Sequence, residues 1–309
     1  MSVAVVTDST AYLPVGLAEA RGIRVVPLEV RLGERVGREG VDIDASAVSA
    51  ALADRRTVVQ TSRPAPAEFA ATYRTALAAG AAEVVSVHLS RELSGTWDAA
   101  RLAAQEVGPG RVRVVDSRAM AMGLGYSVLA AADAAGDGAD GAAVEDAAAD
   151  VAARCRVFFC VDTLDRLLRG GRLGAAAALV GNALAVKPLL HVAQGRIVPL
   201  EKVRTTARAA QRMVELAVRA AGDGPADLAV HHLGAADRAE ELAVRLRERL
   251  PRVARLLVSE VGAVIGAHAG TGLLGIVVVP RRPAGGVVPM ARRPSTGPRW
   301  GFRSRRRRS

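Results

Sequence analysis

The chain has 309 residues, half of them hydrophobic and only 3% aromatic, so its core is built from Ala, Val and Leu in about two domains. The formal charge of +11 suggests a nucleic-acid binder until its location is considered: ten arginines and no Asp or Glu follow Pro280, and without those ten the body is left at +1. A near-neutral body with no recognition motif argues against a specific nucleic-acid partner. Cys155 and Cys160 are spaced i, i+5, which matches no common zinc or redox motif, and a reducing, cytoplasmic setting fits them best. The N-terminal Met1–Asp8 stretch reads as a strand, not a signal peptide, and no apolar run approaches the roughly 20 residues of a membrane helix.

Val3–Val6 reads as a buried strand, followed by the polar turn Thr7–Thr10 and a short helix between Pro14 and Gly22. Ile23–Val30 is the next predicted strand, and after a Gly-containing loop a helix is expected near Ala45–Arg55. Val58–Gln60 leads into Thr61-Ser62-Arg63-Pro64-Ala65-Pro66, read as a loop because two prolines end any regular element there. Helices are expected at 67–80 and 96–107, with strands at 83–89 and 111–115 and polar loops at 90–95 and 116–117. Two Ala-rich helices follow, parted by Gly136–Gly141. This alternation predicts a mostly parallel sheet with helices on both faces, a three-layer unit over residues 1–155.

From Arg156 the pattern changes. Lys187–Val192 and Arg196–Val203 flank a Gly-containing turn and read as a hairpin. Helices near 206–221 and 236–250 and strands near 228–233, 255–258 and 273–279 complete a smaller α/β unit with antiparallel strands, residues 156–280. Residues 281–309 are Arg-, Pro-, Gly- and Ser-rich and read as a disordered tail. Such a tail could grip nucleic-acid phosphates non-specifically or touch anionic lipid.

Taken in order, several motifs resemble those of the DegV family over about residues 3–279. They are Thr7-Asp8-Ser9-Thr10-Ala11-Tyr12-Leu13-Pro14, Thr61-Ser62-Arg63-Pro64, Leu93-Ser94-Gly95-Thr96, Asp116-Ser117, Gly170-Gly171-Arg172-Leu173, Lys187-Pro188-Leu189-Leu190, Glu201-Lys202-Val203-Arg204-Thr205 and Gly266-Ala267-His268-Ala269-Gly270-Thr271-Gly272. The chain departs from the family pattern at Arg63, where Gln is usual, at Thr271, where Pro is usual, and at Gly262-Ala263-Val264, where Gly-Pro-Val is usual. The resemblance implies a two-domain α/β fold and a long-chain fatty acid, such as hexadecanoate, held between the domains with no other cofactor and no metal. It implies a non-catalytic role, the bound carboxylate being presented to a separate ATP-dependent fatty acid kinase subunit that makes the acyl phosphate. It places Thr61, Ser62, Ser94 and His268 on the fatty acid, and Arg172 and Arg204 either in the head-group network or against the partner.

The residue chemistry is compatible with that placement. A buried carboxylate needs several donors, and Ser94-Gly95-Thr96 opens a helix whose free N–H groups favour an anion. Chemistry alone also permits Ser94 and Thr61 to be a cap and a turn residue, and His268 to be a packed structural histidine. His231-His232 ends a strand without a ligand-spaced partner and reads as structural. No phosphate loop is present. Gly270-Thr271-Gly272-Leu273-Leu274-Gly275 matches the dinucleotide pattern as letters but precedes a strand, which is the wrong context. A serine hydrolase using Ser94 and His268 is the alternative. It lacks a Gly-x-Ser-x-Gly elbow and a placed acid.

Overall fold

The computed structural model describes residues 2–54, 56–173 and 187–282. The predicted tail therefore lies outside the described residues except for Arg281, whose guanidinium pairs with Asp227 at 2.7 Å, and Arg282, which pairs with Asp150.

The first half builds a four-stranded parallel sheet from β1 (Val3–Asp8), β2 (Arg24–Val26), β6 (Glu83–His88) and β7 (Val112–Asp116), in the order β2-β1-β6-β7. Between β1 and β2 lies the one-turn helix α1 (Leu17–Ala20). One face of the sheet packs on α3 (Pro66–Ala78) and α4 (Thr96–Val107) through Val6, Val84, Phe69 and Tyr73. The other packs on α5 (Met122–Gly136) and α6 (Gly141–Arg154) through Val5, Val85, Leu124 and Val144. The expected three-layer unit is present.

The strand expected at Ile23–Val30 is instead broken. Pro27, which has no N–H for a ladder, separates β2 from β3 (Glu29–Leu32). β3 leaves the parallel sheet and forms an antiparallel three-stranded sheet with β4 (Arg35–Arg38) and β5 (Val59–Ser62), in the order β4-β3-β5. This corrects a second expectation: Thr61 and Ser62 lie not in a loop but in β5, paired with Val30 and Glu29. Pairing to β3 satisfies the backbone right up to the residue before Arg63-Pro64. Helix α2 (Ala45–Ala53), capped by Asp44, bridges β4 and β5.

The second half is a six-stranded mixed sheet, β10-β9-β8-β13-β11-β12, made of β8 (Arg156–Cys160), β9 (Lys187–Ala193), β10 (Arg196–Val203), β11 (Ala226–His232), β12 (Val253–Glu260) and β13 (Leu274–Pro280). All its pairings are antiparallel except β11 with β12. Helices α8 (Thr206–Ala221) and α9 (Ala236–Arg249) cover its outer face. Among the described residues two further short α-helices are α7 (Asp165–Arg169) and α10 (Ala263–Ala269); α10 has no counterpart in the sequence reading.

The inner face of this sheet belongs to the first half. Val157, Phe159, Leu190 and Val277 share one core with Leu28, Val87 and Leu124. Tyr126 Oη in α5 donates to the Leu228 carbonyl at 2.5 Å. The β9–β10 hairpin adds a polar contact at its tip. Its turn, Gln194-Gly195, has φ of 51° and 81°, both in the left-handed region that a two-residue hairpin turn requires. Ser90 Oγ donates to the Gly195 carbonyl at 2.7 Å, and Arg196 pairs with Glu92 at 2.6 Å. A Cβ at Gly195 would lie 2.4 Å from Ser90 Oγ. Gly195→Ala should therefore combine a left-handed alanine with loss of this contact and lower stability by roughly 2 kcal/mol. Urea unfolding measures it, and an unchanged midpoint would show that the hairpin tip does not hold the two halves together.

Candidate functional site

A largely apolar cleft, partly open to solvent, runs between the halves, the kind of concavity in which small molecules bind. Leu28, Leu93, Phe159, Leu167, Val264 and Leu273 make its walls, and no Asp or Glu lines it among the described residues. Five of the six residues singled out from sequence meet along it: Thr61, Ser62, Ser94, Arg172 and His268.

They come from four separate parts of the chain, Thr61 and Ser62 sharing β5. Thr61 Oγ1 lies 2.9 Å from His268 Nε2, a contact across 207 residues of sequence. Ser62, the next residue of β5, is exposed and donates to Glu29 Oε1 at 3.0 Å, so its hydroxyl is engaged at the rim. Ser94 precedes α4, and its Oγ lies 2.9 Å from Thr96 Oγ1. Arg172 follows α7 and is fixed by two carbonyls, Nε to Leu93 O at 3.1 Å and Nη1 to Gly170 O at 2.5 Å. Gly170 also gives His268 room, since a Cβ there would lie 2.6 Å from its Nδ1. Burial, with the Arg172 charge adding to it, pushes the His268 imidazole down to about 4. Arg204 is elsewhere: it follows β10 in a separate surface groove with Arg208 and Arg212.

The placement of His268 depends on two residues that the motif pattern did not mark as functional. Helix α10 has only seven residues, and its first N–H groups need outside acceptors. Glu39 Oε1 accepts from Val264 N at 2.7 Å, and Tyr12 Oη accepts from Ile265 N at 3.1 Å. Tyr12 Oη in turn donates to Glu39 Oε1 at 2.9 Å, and Ser9 Oγ donates to Glu39 Oε2 at 2.5 Å. Glu39 is 4% exposed; burial raises its carboxyl pKa, opposed by the Ser9, Val264 and Tyr12 hydrogen bonds. Burial and then Glu39 also push the Tyr12 hydroxyl well above its ordinary value. A Cβ at Gly262 would sit 2.5 Å from Glu39 Oε1, so the cap requires glycine there. Tyr12 could have been suspected from its place in the first motif. Glu39, in Arg38-Glu39-Gly40, carries no local signal at all.

The loop bearing Leu89, Leu93 and Ser94 is anchored by a second buried network. Asp8 accepts from Thr10 N and Leu89 N, both at 3.0 Å, and from Thr10 Oγ1 at 2.5 Å. His88 Nδ1 lies 3.0 Å from the Asp8 carboxylate, and its Nε2 lies 2.7 Å from Ser86 Oγ, which accepts from Tyr73 Oη at 2.9 Å. These four side chains are sealed from solvent.

His231, read from sequence as structural, proves to line the cleft while fully bonded. Its Nε2 accepts from Met122 N at 3.1 Å, so the proton sits on Nδ1, 3.1 Å from Ser259 Oγ. It therefore presents a neutral ring to an apolar wall.

A family model described as "uncharacterised protein, DegV family" matches residues 2–281. The chain belongs to the DegV family. A DegV domain-containing protein of Streptomyces coelicolor is 56% identical over 279 residues, covering 90% of this chain and 99% of that one. Among solved structures, a DegV family protein from Thermus thermophilus, described as fatty acid binding, superposes with a TM-score of 0.86 at 35% identity over 91% of this chain and all of that one. DegV of Bacillus subtilis, described as a fatty acid binding protein, superposes with a TM-score of 0.83 at 34% identity over 91% of this chain and all of that one. The DegV fold thus carries the cleft, with His231 and His268 on its walls.

Burial holds His231 neutral and pushes it down to about 4, from 6.5 when exposed. Between those values the unfolded chain takes up the proton and the folded protein does not. The stability due to this histidine is complete above about pH 6.5 and is lost as pH falls through about 4, a change of about 3 kcal/mol for a buried ring. Nitrogen NMR should show His231 neutral and protonated on Nδ1 down to about pH 4. A ring titrating near 6.5 would contradict the buried, bonded placement.

Proposed function

We propose that this DegV family chain binds a long-chain fatty acid such as hexadecanoate, with the acyl chain along the cleft and the carboxylate at Thr61, Ser94, Arg172 and His268. The observation that carries this reading is the cleft itself: apolar walls, no carboxylate lining it among the described residues, and donors from four separate elements converging on it. Burying a 16-carbon chain at about 0.8 kcal/mol per CH₂ is worth on the order of 12 kcal/mol before ordering and association costs. The carboxylate needs several donors to be buried at all, and two hydroxyls, a guanidinium and an imidazole supply them. The two relatives described as fatty acid binding, at about a third identity over nine-tenths of the chain, support the same ligand.

The role is that of a carrier: the chain presents the carboxylate to a separate ATP-dependent kinase subunit, which forms the acyl phosphate. Arg204, outside the cleft and exposed beside Arg208, suits contact with that partner. We place the protein in the cytoplasm; its two cysteines are unpaired, and no helix among the described residues is long and apolar enough to cross a membrane. The hydrolase alternative finds little in the geometry. Ser94 Oγ is bonded to Thr96 and His268 Nε2 to Thr61, and the charge that bears on His268 is a guanidinium, where a triad needs an acid.

Small molecules released from the purified protein should include a fatty acid by mass spectrometry; a lipid-free protein that also ignores added fatty acids would count decisively against the reading. Ser94→Ala should weaken fatty acid binding by about 1.5–3 kcal/mol, the loss of one charge-assisted hydrogen bond. Arg204→Ala should keep fatty acid affinity but slow acyl phosphate formation when a cognate kinase subunit and ATP are added. If Arg204→Ala instead loses the fatty acid as Ser94→Ala does, Arg204 is not a partner contact.

A further inference from the structure

Arg63 is a residue of the cleft whose charge no other described residue uses. It follows β5 directly and lines the cleft together with Thr61 and Ser94. Its guanidinium lies over Gly95: a Cβ there would be 2.6 Å from Arg63 Nη1 and 3.1 Å from its Cδ. Only a glycine at that position lets the guanidinium come so close beside Ser94. Among the described residues Arg63 makes no hydrogen bond, ion pair or ring contact. Arg172, by contrast, is tied to two backbone carbonyls. Among the described residues the cleft thus has one fixed and one free guanidinium and no acid along its walls.

A carboxylate brings a single negative charge to these two cations. Room for more lies outside. An open polar groove shares Thr61, Ser62, Arg172 and His268 with the cleft, and adds Arg31, Arg166 and Arg169 against Glu29 and Asp54. A head group larger than a carboxylate can pass into it without leaving the Thr61–His268 end. A phosphate monoester carries nearly two charges at neutral pH and three acceptor oxygens. Its geometry suits paired recognition by a guanidinium fork.

We propose that Arg63 is a head-group residue that biases this cleft toward single acyl chains ending in a phosphate dianion over the corresponding carboxylates. The proposal rests on the fatty-acid reading and deepens it. The phosphate could sit directly on the chain end or on a glycerol spacer, and two probes separate these sources.

The test is displacement of a fluorescent fatty acid from the delipidated full chain by hexadecanoate, by hexadecyl phosphate and by 1-palmitoyl-glycerol 3-phosphate. The wild-type protein should bind at least one phosphate probe about tenfold more tightly than hexadecanoate, and the tighter of the two identifies the source. Arg63→Gln removes the charge from an exposed side chain at similar length, and should lower phosphate-probe affinity about tenfold more than hexadecanoate affinity. Arg63→Lys, which keeps the charge without the fork, should restore part of that difference. A phosphate preference that is absent in the wild type, or unchanged in Arg63→Gln, overturns the role of Arg63 while leaving fatty acid binding in place. Failure of all three ligands to displace the probe from the wild type overturns the fatty-acid reading as well.

Discussion

The buried carboxylate of Glu39 is the constraint on which the site depends. A seven-residue helix cannot satisfy its own first N–H groups, and α10 ends its approach to the first half of the molecule with those groups facing inward. Glu39 and Tyr12 accept them from more than 220 residues away in sequence. The carboxylate is held in place by Ser9 and Tyr12, which come from the segment just after β1. One group therefore ties three parts of the chain together: the turn after β1, the end of β4, and the helix that carries His268. Without it, the 2.9 Å contact between Thr61 and His268 has no fixed geometry. Desolvation opposes charge on Glu39, and the three donors around it compensate.

The same logic recurs around the cleft. The buried polar side chains Asp8, His88, Glu39 and His231 each have partners, and most of the space between the halves is apolar. Asp8 and His88 lock the loop after β6 from below, so Ser94 is presented by a rigid backbone. His231 has both ring nitrogens engaged and offers the cleft only its neutral face. The polar side chains that do line it gather at the Thr61–Ser94–Arg172–His268 end, which gives the cleft one polar end and an apolar remainder. A single-chain amphiphile has that same asymmetry.

The elements of the parallel sheet were legible because each strand and helix is locally self-consistent. Val3–Val6 is apolar throughout, Thr96–Val107 has a helix period and a glycine on either side, and Gln194-Gly195 supplies the positive φ values of a hairpin turn. The readings that failed are those where pairing is non-local. Ile23–Val30 looks like one strand, yet Pro27 divides it between two sheets, because β3 finds partners in β4 and β5 that no local pattern announces. Thr61 and Ser62 look like loop residues beside two prolines, yet the same sheet makes them strand. Helix α10 was hidden because it is only seven residues long, too short to nucleate on its own, and the acceptors for its first N–H groups come from distant residues.

The ordered motifs by themselves determined the family, the α/β layering and five of the residues that line the cleft, since these depend on local pattern and on the identity of a few polar side chains. Only the tertiary structure decided which of them meet. It brought Thr61 to His268, set Arg172 against two carbonyls, and left Arg204 in a different groove. It also drew in Glu39 and Arg63, for the same physical reason in both cases. A buried acid matters through the donors it finds, and an exposed arginine through the partners it lacks, and both are properties of the folded neighbourhood that no stretch of sequence carries.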